Sequence, residues 1–224
     1  MDVDSLREKY KGRNIVICGS APSLNDYVPI EDAVHLGLNK AVLYERIPFE
    51  LMVSVDYTAI YSIERELKKR EELIKFFGRV PEKGKTSIPE KFFMMKNVIA
   101  FDVADTVETM ELKGEFTRDI SIEAIRYYQS VATVAIQIAL YMKPCKIYLV
   151  GLDFSSAGHF LEEYDTEEDK NIHKKWAKER WKESEIRMHW RAIAEFAEKN
   201  YPETEIISVN PVALKGIFFD MYIK

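Results

Sequence analysis

Four of the apolar runs in this chain end in polar turns, and the turns hold residue types that bind phosphorylated ligands. Asn14 to Cys18 runs into Gly19-Ser20-Ala21-Pro22-Ser23-Leu24, Val34 to Leu38 into Asn39, Leu51 to Val55 into Asp56, and Lys146 to Val150 into Gly151-Leu152-Asp153-Phe154. A glycine at a strand end lets the backbone come close to a ligand, and the amides and hydroxyls after it can donate to phosphate oxygens. Taken singly, each turn is also what an ordinary Gly-Ser turn or helix cap looks like. Successive polar strand ends converge on the carboxyl edge of one sheet, where open α/β folds bind ligands. The first turn is neither the dinucleotide fingerprint nor a Walker-type phosphate loop, because the later glycines and the lysine are missing.

The elements that must position these turns alternate along the chain. Besides the four runs above, Asn97 to Phe101 and Glu205 to Val209 read as strands, with Phe92 to Met95 as an added edge strand. Near-continuous apolar runs of this length belong to strands covered on both faces by helices. Ile60, Ile63, Leu67, Ile74 and Phe77 recur at helical spacing, which predicts one helix stopped by Gly78. A second helix is predicted from about Ile120 to Met142, ended by Pro144. This alternation predicts an α/β fold, a single Rossmann-like domain over residues 1–224 with a mostly parallel sheet flanked by helices. The length, 224 residues, suits one such domain.

Composition narrows the classes. The net charge of −5 argues against a nucleic-acid partner, and no apolar run approaches the ~18 residues of a membrane-spanning helix. Met1 to Lys11 alternates charge and does not read as a secretory signal. Cys18 and Cys145 sit in or beside apolar strands and read as core residues of a cytoplasmic protein. Pro81 to Pro89 reads as a surface loop. Glu162 to Asp169 packs six carboxylates into eight residues and leads into a basic segment that carries Trp176, Trp181 and Trp190. A solvated face is the plain reading of that region. The functional reading is a helical lid over 155–191, weakly ordered until a nucleotide binds, with peripheral contact at the inner face of a membrane left open. Self-association is left open too.

At this point the residues resemble a known family. Gly19 to Leu24 is similar to the G-N-G-P-S-L turn of the bacterial lipooligosaccharide sialyltransferases, whose next strand ends in an asparagine as this one does at Asn39. Ser130 to Leu140 (S-V-A-T-V-A-I-Q-I-A-L) resembles their S-G-x-x-x-x-x-A-I-A-L helix. Lys146 to Phe154 resembles their K-x-I-Y-L-x-G-I-D-F, and Val209-Asn210-Pro211-Val212-Ala213-Leu214 resembles their C-P-N-S-L-L. The series runs in order from about residue 14 to 214, with about 57 to 118 unmatched.

The resemblance implies a cytidine-nucleotide sugar donor, a glycan or small-molecule acceptor, inversion at the anomeric carbon, and neither metal nor separate cofactor. It places Gly19, Ser20, Ala21, Ser23, Asn39 and Asp56 at the donor, together with Ser130, Gly151, Asp153, Phe154, Ser155, Asn210 and Pro211. It also implies a histidine that deprotonates the acceptor hydroxyl. His189 is the first choice, lying after the acidic stretch and ahead of the last matched strand; His159, six residues beyond Asp153, is the second. His35 and His173 read as structural. The departures are Ser20 and Ala21 for Asn and Gly, Asp56 for a second ligand-binding asparagine, and Ser155 for a tyrosine that assists the leaving phosphate. Two other functions stay open. The archaeal-type hydroxymethylpterin pyrophosphokinases share a G-x-G-P-S-L turn and need Mg²⁺ on carboxylates, a role Asp56 fits. A nucleotide-binding protein without catalysis is the other.

Overall fold

The computed structural model describes residues 2–80, 87–104, 116–128, 130–154, 167, 171 and 183–223. Among them, nine parallel strands form one sheet. β1 (Asn14–Cys18) is central. On one side β2 (Val34–Leu38), β3 (Phe49–Ser54), β4 (Ile74–Arg79), β5 (Val98–Ala104) and β6 (Ile125–Arg126) follow in turn. The chain then crosses to the other side of β1, where β7 (Lys146–Val150), β8 (Glu205–Val209) and β9 (Phe219–Met221) complete the order. The direction of winding therefore reverses between β1 and β7, which pair with Ile17 opposite Leu149 and Cys18 opposite Val150. A crevice at such a reversal is where open α/β sheets bind ligands. The fold is Rossmann-like, as the alternation predicts.

Side-chain alternation explains why both faces are covered. Ile15, Ile17, Ile147 and Leu149 enter one core layer, shared with α1 (Val3–Tyr10), α5 (Val131–Tyr141) and α6 (Glu183–Asn200). Val16, Cys18, Tyr148 and Val150 enter the opposite layer with Leu24 and Tyr27. On that second face α2 (Tyr57–Ser62), α3 (Glu64–Lys69) and α4 (Glu90–Phe93) bring Ile60, Leu67 and Phe92 against Met52 and Phe77. α5 is apolar nearly all round and is buried from Ala132 to Tyr141. Such a helix belongs inside a protein. α6 is amphipathic: Ile186, Trp190, Ile193, Phe196 and Ala197 recur at helical spacing and are buried, each large side chain contributing roughly 1.5–3 kcal/mol. Among the described residues no helix is long and apolar enough to cross a membrane.

Several local expectations are corrected. Ile74 to Phe77 is not helix but most of β4, and Gly78 lies within that strand, where a Cβ would meet Val55 and Val103. Phe92 to Met95 is not an edge strand; its first residues end α4. The helix expected from Ile120 starts only at Val131, behind a turn and β6. Cys145 is exposed rather than core, because it stands just before β7, its amide donating to Arg13 O (3.0 Å). Of the segment expected as a lid, residues 183–191 are the first half of α6 and seat Ile186 and Trp190 in the core. Apart from Glu167 and Asn171, its other residues lie outside the described ones, as does His173.

Candidate functional site

Gly19 and Gly151 end β1 and β7 side by side at the winding reversal. Gly19 N–H donates to Val150 O (2.8 Å) and Ala21 N–H to Gly151 O (3.1 Å). A Cβ on Gly19 would lie 2.2 Å from Gly151 O, and one on Gly151, whose φ is +64°, would lie 2.7 Å from Gly19 O. The neighbouring turn thus itself requires glycine at position 19. Asp153 locks the same two turns: it is buried and accepts from the Ser23 amide (3.3 Å) and the Ser23 hydroxyl. Pro22 opens a short 3-10 turn there, where its missing N–H loses nothing.

The ends of β2 and β3 form a second polar group. Asn39 is left-handed at φ 49°, and its Oδ1 accepts from Ser54 Oγ (2.7 Å). Ser54 Oγ accepts in turn from the Asp56 amide (3.2 Å). Asp56 caps α2, its Oδ1 accepting from the amide and hydroxyl of Thr58 (2.8 and 2.7 Å). Among the described residues, no three His, Cys, Asp or Glu side chains gather as a metal site. At the end of β8, Asn210 is also left-handed and ties the last strand down: its amide donates to Met221 O (2.8 Å), and its Oδ1 accepts from Ile223 N–H (2.9 Å). Pro211 follows it, half-buried.

Three of the expected residues meet in one small pocket. Ser130, Phe154 and His189 line it with Tyr128, Thr133, Ile186 and Trp190. Ser130 caps α5 by accepting from Ala132 N–H (3.2 Å). Phe154 takes a left-handed φ of 47° just past the β7 turn, and its ring tilts onto Trp190 at 5.9 Å between centroids. His189 is half-buried one residue before Trp190 on α6. Burial pushes its pKa below that of an ordinary imidazole, and the nearby Glu185 carboxylate opposes the shift in part. The imidazole is therefore neutral at pH 7 and can accept a proton. Ser155 and His159 lie outside the described residues.

Tyr128 and Thr133 belong to the pocket although neither is marked by the motif series. Tyr128 falls in the stretch that reads as one long helical stripe. The capping serine after it was the available signal that the helix begins later.

No protein-family model matches the chain, and no curated protein matches it. Among solved structures it is similar to the sialyltransferase CstII from Campylobacter jejuni, determined in complex with a substrate analogue, cytidine-5'-monophosphate; the two share 13% identity over 88% of this chain and 80% of that one, with a TM-score of 0.48.

Proposed function

We propose that this protein is a metal-independent glycosyltransferase that moves a sugar from a cytidine-nucleotide donor to an acceptor hydroxyl with inversion, using His189 as general base. One observation carries the reading: His189 shares a pocket with Ser130 and Phe154, two residues that the ordered motif series assigns to the donor. In the proposed step the acceptor oxygen attacks the anomeric carbon as the bond from that carbon to the nucleotide phosphate breaks. The hydroxyl proton passes to His189, and the phosphate leaves with the electron pair. A nucleotide phosphate leaves readily, so the acceptor is the side that needs a base. A desolvated imidazole suits that task near neutral pH.

His189→Ala should lower turnover by roughly a hundredfold or more with little change in donor affinity, because the base meets the acceptor. Turnover of the parent should fall on the acid side as His189 takes up its proton, at a pH below the ordinary ~6.5. A thermal-shift panel tests the donor: cytidine mono- or diphosphate should raise the melting temperature without metal. Stabilisation by ATP with Mg²⁺ alone would replace this reading with pyrophosphoryl transfer. Loss of turnover in His159→Ala with full turnover in His189→Ala would move the base to the other histidine.

A further inference from the structure

α5 is enclosed on every side, yet it carries two polar side chains that are each 1% exposed, Thr133 and Gln137. Four residues apart, they share a helix face. Gln137 makes three hydrogen bonds: Nε2 donates to Arg126 O (2.7 Å) and Thr133 O (2.6 Å), and Oε1 accepts from Thr117 N–H (3.0 Å). Thr133 Oγ1 accepts from Tyr128 N–H (3.1 Å) and donates to Ser130 O (2.7 Å). Both side chains thus pin the segment from β6 to α5, and that segment presents Tyr128. The Tyr128 ring lies 5.5 Å from the His189 imidazole at an interplanar angle of 37°, and Phe116 meets the Tyr128 ring edge-on at 5.2 Å. Phe116 in turn packs on Phe196, seven residues after His189 on α6, at 5.3 Å. Four rings therefore run in series from the pocket back to the helix that carries the histidine.

We infer that Tyr128 is the positioning residue of His189: its ring, pinned through Thr133 and Gln137, holds the imidazole in one orientation within the pocket. The role rests on the reading of His189 as the base; the pairing itself does not. An imidazole on an unsupported side chain turns about its last bond, and a base that turns away from the acceptor loses the geometry proton transfer needs. Of the titratable groups that face His189 among the described residues, Glu185 comes from α6 itself and the Tyr128 phenol from the segment before α5; the end of β7 offers the uncharged Phe154.

Nitrogen-detected NMR titration of the whole protein tests this without any substrate. The parent should show Overhauser contacts between the ring protons of Tyr128 and His189. Tyr128→Phe keeps the ring and should keep the His189 midpoint. Tyr128→Ala exposes the imidazole and should move that midpoint up toward 6.5. In the transfer assay Tyr128→Ala should lower kcat with donor KM unchanged and move the acid limb to higher pH. An unmoved midpoint in Tyr128→Ala overturns the inference. So does a Tyr128→Phe midpoint that rises as far as the alanine one, since the hydroxyl and not the ring would then act. Should the alanine variant fail to fold, a missing Overhauser contact in the parent overturns it. Because the titration needs no turnover, failure of glycosyl transfer and failure of the pairing are read separately.

Discussion

His35 lies on β2 at 2% exposure, its Nε2 3.0 Å from the Tyr27 hydroxyl and its ring edge-on to Phe49. Burial pushes its pKa down to about 4. The folded protein therefore holds it neutral, while the unfolded chain takes a proton near pH 6.5. Stability from this group is complete above pH 6.5 and is lost as the pH falls from 6.5 toward 4, by about 3 kcal/mol in all. His189 adds a loss of the same sign. Urea titrations across pH 7.5 to 4.5 should show this decline, and His35→Leu should flatten it; an equal decline in the variant would assign the effect to other groups. At this scale much was legible. His35 reads as structural from its place in an apolar run, Ser130 and Phe154 fall within the ordered motifs, and His189 was singled out by its place between the acidic stretch and the last matched strand. Tyr128 did not stand out, since an aromatic at helical spacing looks like core.

Elements were legible where burial is uniform. β1, β2, β7 and β8 are apolar runs with turns after them, and each lies where its run predicts. β4 was hidden because Lys75 interrupts its apolar run. That lysine is buried, and its Nζ donates to the carbonyls of Arg70 (3.1 Å), Leu73 (2.7 Å) and Lys96 (3.1 Å), which is what lets a cation sit inside a strand. β9 was hidden for the opposite reason: three residues with an exposed Phe219 have no alternation to read. α5 offers the test at this scale. Gln137→Leu nearly conserves volume but strips the buried Thr117 amide and the Arg126 carbonyl of their partner. A loss of roughly 2–4 kcal/mol is expected from those unmade bonds. Urea denaturation measures it, and a neutral result would show that the segment before α5 is held without Gln137, by Thr133 and the aromatic contacts.

For the whole molecule, the joint between β1 and β7 is the critical seam. Two glycine turns meet there backbone to backbone, with no room for a methyl group. Gly19→Ala should therefore destabilise by the upper part of the roughly 1–3 kcal/mol that overpacking costs, and weaken nucleotide binding with it. Gly12→Ala is the control: its φ of +71° is strained for alanine, but its Cβ would meet open space, so about 1 kcal/mol is expected. Differential scanning calorimetry on both variants decides. Equal losses would mean that the seam yields easily, and the turns would then be a poor frame for a ligand site.

The same seam has a consequence for how the chain reaches its fold. β1 is made of residues 14 to 18, and its second neighbour, residues 146 to 150, comes more than a hundred residues later. During synthesis the outer edge of the central strand stays open until β7 has emerged, and α5, apolar nearly all round, emerges just before it. Pairings this distant in sequence form slowly, and open edges invite wrong partners while they wait. A nascent chain stopped just short of residue 146 should accordingly be the most aggregation-prone length of this protein, and one carried past residue 150 markedly less so.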